Sequence, residues 1–281
     1  MNERCSFNDF AVLYRTNAQS RSLEESLRKR NIPYKIFGGL SFYQRKEVKD
    51  LLSYFRLMIN PQDEEALKRV INYPARGIGN TTIQKLLICS RTNNISIWEC
   101  IENPLFHSNI NINSGTLSKL TGFVLAINSF KVQLSDDAYQ LAEFVAKSTG
   151  LLGELNKDKT PEGISRLENI QELLNAIKEF SVKNKEQDLP NDLGTFMQDV
   201  ALLTDQDNDK DDEKNRVTLM TIHAAKGLEF PYVYLVGLEE NLFPSQMAIH
   251  SRQELEEERR LFYVGLTRAE KRIQLSYATS R

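Results

Sequence analysis

The stretch 217-VTLMTIHAAKGLEF-230 holds the most concentrated chemistry in the sequence. A β-rich run delivers Thr221 and His223 to its carboxyl end, where open α/β sheets place their ligands. Ala224, Ala225 and Gly227 follow, small enough for the backbone to approach a phosphate chain closely, with Lys226 beside them as a cation. A strand-end histidine with an ordinary hydrogen bond reads the same way, and a bare Ala-Lys-Gly is a weak signal. A second stretch, 256-EEERRLFYVGLTRAEKR-272, is a helix with its charges crowded at one end, then Gly265, then Thr267 and Arg268 ahead of a strand. Ion pairs on an exposed helix face account for its Glu and Arg residues. Arg268, past the glycine, lies close to the sheet edge where a ligand would sit. Third, in 76-RGIGNTT-82 a Gly-Ile-Gly turn opens a helix at Asn80 and bares backbone N–H groups, which suits a duplex phosphate as well as a simple turn and cap. Cys5, Cys89 and Cys100 lack CxxC spacing, and His107 and His250 have no partner at ligand spacing, so neither a metal site nor a disulfide framework is expected.

Those groups need elements to hold them. The runs 10-FAVLYR-15, 34-YKIFG-38, 217-VTLMTI-222, 232-YVYLVG-237 and 272-RIQLSY-277 predict short strands, while 17-NAQSRSLEESLRKR-30 and about 252–264 predict helices. The middle reads differently. Val48, Leu51, Leu52, Phe55, Leu57 and Met58 give a broad apolar helix face between about 45 and 60, stopped by Pro61. Further helices are predicted over 63–73, 80–92, 115–134, 136–148, 162–182 and 192–204. The terminal segments are each too short to bury their strands alone. The expected architecture is therefore one α/β domain built from 1–42 and 214–281, interrupted by an all-α insertion over 43–213. Trp98 is expected to pack in the helical core, and the charged stretches 24-EESLRKR-30 and 63-DEEALKR-69 to be solvated faces.

Composition bounds the partners. The 281 residues carry 36 basic and 38 acidic side chains, a net charge of -2 and a pI near 6.1. Phosphate binders usually carry a basic excess, so this balance alone argues against nucleic acid while saying nothing of local patches. Six acids fall within 205-DQDNDKDDEK-214, which reads as a solvated connection and a candidate hinge. A hydrophobic share of 41% argues against a disordered chain. No run approaches the roughly 20 apolar residues of a spanning helix, and 1-MNERCSFNDF-10 lacks the apolar core of a secretory signal. A cytoplasmic protein without membrane contact is the expectation.

Three separated segments, 14-YRTNAQSR-21, 221-TIHAAKGLEFP-231 and 256-EEERRLFYVGLTRAE-270, resemble the C-terminal half of superfamily 1 DNA helicases of the PcrA/UvrD/Rep type. The segments 38-GGLSFYQRKEVKDLLSYFRL-57 and 74-PARGIGNTTI-83 resemble the start of that family's inserted domain. By this resemblance the strand-rich ends would be the RecA-like 2A domain, of P-loop NTPase type, and the helical middle the 2B domain. ATP with Mg²⁺ would lie between 2A and a 1A domain outside this sequence. Arg268 would be the arginine finger at the γ-phosphate. Glu229 would contact the ribose, and the Gly227 backbone would shape the same edge. Arg15, Asn17 and His223 would touch single-stranded DNA through backbone contacts and base packing, a sequence-tolerant chemistry. Gly77, Gly79 and Thr81 would grip the duplex ahead of the fork. The implied partners are single-stranded DNA, a duplex junction, the 1A and 1B domains of the same protein, and RNA polymerase or repair proteins.

The sequence also departs from a complete motor. It contains no GxxxxGK[ST] phosphate loop and no Walker B carboxylate pair after a strand. The expectation is thus a segment of a longer ATP-dependent 3′-to-5′ helicase, beginning inside 2A and inactive by itself. Ser41 stands where this family often carries a lysine. A competing reading from another class makes the chain a non-catalytic interaction module; Arg268 and the Gly-Leu-Glu-Phe segment weigh against it, because an adaptor needs no arginine facing a γ-phosphate.

Overall fold

Short apolar runs at both ends of the chain build one sheet. In the computed structural model, which describes residues 5–206, 215–245 and 248–279, the strands are β1 (Phe10–Tyr14), β2 (Tyr34–Ile36), β3 (Val217–Thr221), β4 (Phe230–Leu235) and β5 (Ala269–Leu275). Their order is β2-β3-β1-β4-β5, and every neighbouring pair is parallel. β3, from late in the chain, thus slots between β1 and β2 from its start.

The helices are α1 (Ser20–Lys29), α2 (Lys46–Ile59), α3 (Glu64–Val70), α4 (Asn80–Asn93), α5 (Ile97–Glu102), α6 (His107–Ile110), α7 (Ser114–Lys131), α8 (Ala138–Ser148), α9 (Leu151–Lys157), α10 (Pro161–Glu186), α11 (Leu193–Gln206) and α12 (Arg252–Leu266). The chain divides into two compact units, one of Met1–Arg45 with Leu203–Arg281 and one of Lys46–Leu202. The expected second boundary near 213, and the acidic run from 207 to 214, lie outside the described residues.

In the first unit alternate strand residues go to opposite faces. Ala11, Leu13, Met220, Val233 and Leu235 join Leu261 and Phe262 of α12 on one face, while Tyr14, Val217 and Leu219 meet Leu23 and Leu27 of α1 on the other. Helices on both faces are what a parallel sheet requires. At the entrance to β1 and β3, Ser6 Oγ donates to Asn215 Oδ1 at 2.6 Å and Arg216 N donates to Asn8 Oδ1 at 2.9 Å.

The second unit is helical throughout its described elements, apart from isolated bridges. The six apolar residues of the predicted α2 face are all buried, and α2 packs against α3, α7, α8 and α10. Trp98 is 4% exposed and donates Nε1–H to Glu102 at 3.0 Å. Buried beside Cys89, the Cys100 thiol is pushed up to about 12 by loss of solvent, so it is a packing residue rather than a nucleophile.

Three expectations need correction. β5 begins at Ala269, three residues before the apolar run, because Glu270 to Arg272 are exposed on an edge strand held by pairing with β4, where Lys271 Nζ also lies 5.9 Å from the centre of the Tyr232 ring. α5, α6 and α9 are additional helices, too short to display a helical period; the reciprocal Ser96 and Glu99 cap is the local signal for α5. Finally, the charges of 24–30 are a solvated face only in part: Lys29 and Arg30 are exposed, whereas Glu24 and Arg28 are not. Glu24 is 1% exposed, accepts from Ser20 Oγ at 2.7 Å and from the Phe42 N–H at 3.1 Å, and pairs with Arg28 at 3.4 Å. In 63–69 the Lys68 and Glu64 pair is exposed as expected, while Arg69 reaches the buried Asp50 at 2.6 Å.

Candidate functional site

The parallel register separates the candidate residues into two groups. Tyr14 pairs with Thr221, and Phe230 with Ala269. Arg15, Asn17 and His223 therefore follow the carboxyl ends of β1 and β3, whereas Leu228, Glu229 and Arg268 lie at the amino ends of β4 and β5. Only the turn 222–229 joins the two ends between β3 and β4. The expectation that His223 and the Gly227 phosphate approach share one strand end does not hold: they lie toward opposite ends, because a parallel crossover must return along the sheet before the next strand starts.

At the carboxyl end, Arg15 forms a forked ion pair with Glu258, Nε to the two carboxylate oxygens at 3.0 and 3.1 Å and Nη2 to Oε1 at 2.6 Å. Glu258 is 7% exposed and also accepts the Ser245 N–H at 3.3 Å. The turn itself is closed by Gln19, whose Oε1 accepts the N–H groups of Arg15 and Thr16 at 2.9 and 2.8 Å. The Gln19 amide lies over Gly237, which has φ +75 and where an added Cβ would meet Nε2 at 2.3 Å. His223 reaches solvent, yet partial desolvation and then the Arg15 cation hold it below the ordinary histidine value of 6.5, with Glu258 and Glu257 opposing. It is neutral at physiological pH.

At the amino end, Arg268 is braced by three of its five donors. Nε donates to Val264 O at 3.1 Å, Nη1 to Leu228 O at 3.0 Å and Nη2 to Thr267 Oγ1 at 3.0 Å. One N–H on each terminal nitrogen is left, a fork suited to an anion. Gly227 has φ +86, a left-handed conformation that favours glycine, and nothing within 4 Å of where a Cβ would stand, so a ligand can approach its backbone. Glu229 is exposed beside it.

In the second unit, Asn72 Oδ1 holds the Gly-Ile-Gly turn by accepting from Arg76 N and Ile78 N, both at 2.9 Å. Gly79 is the N-cap of α4 and supplies no side-chain cap, so the Asn80 and Thr81 N–H groups have no intrahelical acceptor, whereas Thr82 N–H donates to Gly79 O at 3.0 Å. Arg76 is spent on structure, donating to Val70 O at 3.0 Å and Tyr54 OH at 2.6 Å. Lys119 of α7, which the sequence did not single out, brings its ammonium over Gly77, 2.6 Å from the position of a Cβ. Gly77 has φ +72, so Gly77→Ala strains the turn by about 1–2 kcal/mol and displaces Lys119. The expected outcome is a melting temperature lowered by a few degrees, read by thermal denaturation of the parent and variant side by side.

Glu258, Gln19 and Lys119 complete these arrangements and escaped the sequence reading. Glu258 is hidden in a run of three glutamates, and only its burial singles it out. Among the described residues no group of three or more His, Cys, Asp or Glu could hold a metal ion, and no helix is long and apolar enough to cross a membrane. The His250 side chain lies outside the described residues.

A family model described as the UvrD-like helicase C-terminal domain matches residues 1–280. The chain belongs to that family. It is 41% identical over 280 residues to the ATP-dependent DNA helicase PcrA of Bacillus subtilis (strain 168), covering 98% of this chain and 37% of that protein. PcrA of Staphylococcus aureus gives the same 41% identity and coverage. DNA helicase II of Escherichia coli (strain K12) is 40% identical over 272 residues, 96% of this chain and 37% of that protein. This UvrD-like C-terminal domain thus spans 37% of the length of these relatives.

Proposed function

We propose that this UvrD-like domain works as the C-terminal part of an ATP-dependent 3′-to-5′ DNA helicase, with the first unit as a RecA-like 2A domain and the second as a 2B arm. What supports the reading is the two-ended placement of the candidate residues: a braced arginine fork at the amino ends of the strands, and a pinned turn with Arg15, Asn17 and His223 at the carboxyl ends. The fork and the open Gly227 backbone fit a nucleotide triphosphate, with Arg268 at the γ-phosphate and Glu229 at the ribose. ATP hydrolysis supplies the free energy for stepping; this chain's residues bind and orient. Mg²⁺ and the phosphate loop would come from the N-terminal 1A domain, and 1B would complete the strand channel. α12 and the turn 222–229 join the two ends, so a closing movement at Arg268 is relayed to Arg15 through Glu258. The helical unit would hold duplex phosphate at Gly77, Gly79 and Thr81. A cytoplasmic location follows from this role, and RNA polymerase or repair proteins are candidate partners.

The purified chain tests this directly. It should bind oligo-dT weakly and turn over no ATP, with or without DNA. Robust hydrolysis by residues 1–281 alone would refute the reading.

A further inference from the structure

The turn that follows β1 is held by more than its own residues. Arg45, 8% exposed, donates Nη1–H to Asn17 O at 2.8 Å and Nη2–H to Ser20 Oγ at 2.6 Å, with its guanidinium 5.2 Å from the centre of the Phe42 ring. Ser20 passes the interaction on to Glu24, which also takes the Phe42 N–H. Burying a guanidinium costs several kcal/mol unless its hydrogen bonds are well made. The turn does not need that cation to close, since Gln19 already caps Arg15 N and Thr16 N. Arg45 is the side chain that holds the carbonyl of Asn17, adding a charged donor to the Ser20 backbone N–H that the same oxygen accepts, and so it helps to set the peptide plane beneath the proposed strand contact.

We propose that Arg45 is a positioning residue for single-strand binding: it touches no DNA but holds the Asn17 peptide in its binding geometry. This rests on the reading that Asn17 meets the strand. Arg45 is also the last residue of the first unit before Lys46 opens the second, so one side chain ties the strand-binding turn to the point where the chain leaves the unit.

The test is a double-mutant cycle on the protein, read by anisotropy of labelled oligo-dT at low salt, with amide hydrogen exchange alongside. Arg45→Gln should weaken binding by about tenfold, as loss of a charge-assisted bond to the turn implies, and Asn17→Ala should weaken it comparably. Because both act through one contact, Arg45→Gln with Asn17→Ala should bind no more weakly than the weaker single variant. Arg45→Lys, able to keep one acceptor but not both, should fall between Arg45→Gln and the parent. Exchange should quicken at residues 15–19 in both Arg45 variants while β1 and β3 stay protected. Should Arg45→Gln not fold, Arg45→Lys carries the same comparison. Unchanged affinity in the Arg45 variants, additive losses in the cycle, or quickened exchange throughout the sheet would each overturn the proposal. If Asn17→Ala binds normally, the strand reading at Asn17 fails and the inference falls with it, a result distinct from a failure at Arg45 alone.

Discussion

On the proposed γ-phosphate role, Arg268→Ala should lower the DNA-stimulated ATPase rate of the full-length protein by about 10³-fold or more, the scale expected when a cation poised at a γ-phosphate is lost. Oligonucleotide affinity stays near that of the parent. The size of the effect follows from preorganisation. Three hydrogen bonds, to Val264 O, Leu228 O and Thr267 Oγ1, fix the guanidinium before any nucleotide arrives, so little reorganisation is left for the transition state. Arg268→Lys should recover little, because an ammonium cannot satisfy those acceptors and still present a two-pronged donor. Steady-state kinetics with paired anisotropy titrations provide the check; normal turnover with weakened DNA binding would reject the assigned role.

Glu24→Ala should cost about 3–5 kcal/mol of stability, the range for stripping the counter-charge from a buried ionic group. Glu24 is the shared acceptor of Ser20, the Phe42 N–H, Arg28 and the Tyr34 hydroxyl, and without it the Arg28 and Arg45 cations lie in the core with too little negative charge. Burial pushes the Glu24 carboxyl above its ordinary 4.5, against the pull of Ser20, Arg45, Arg28 and the Phe42 N–H. The folded protein therefore holds this proton more tightly than the unfolded chain. Glu24's titration contributes most to stability below pH 4.5, and that contribution drains away as the pH rises through the folded-state value. Glu24→Gln, which keeps an acceptor oxygen and cannot titrate, should lose less at neutral pH and flatten that part of the profile. Urea denaturation at several pH values measures both effects.

How far the sequence carried these conclusions depended on whether the information was local. β1 and β3 were legible as apolar runs because both sides of a central parallel strand are buried. The residues of the α2 face were legible because their spacing is helical. β5 was misplaced because Ala269 to Arg272 owe their strand state to pairing with β4, and their side chains record nothing of it. Arg268 and Gly227 stood out by residue type and position and Glu229 only through the family resemblance, yet their distance along the sheet from His223 became visible only with the strand register. Glu24 shows the limit most plainly. Glu and Arg four residues apart look alike on a wet helix and in a core, and what buries this pair is the chain at Phe42 to Arg45.

The strand order has a further consequence, for assembly on the ribosome. β1 has no sheet neighbour until β3 and β4 emerge, and β2 none until β3, after the whole helical unit has been made. At about 5–20 residues per second, the early strands wait roughly ten seconds or longer for their strand partners, with α1 the one described helix already available to cover a face. The helices of Lys46–Leu202, which pack largely on near neighbours in sequence, can fold during that interval. Among the described strands, the order of synthesis and the order of pairing are thus reversed: β1 and β2 are made before the helical unit, yet they complete their pairing only after it.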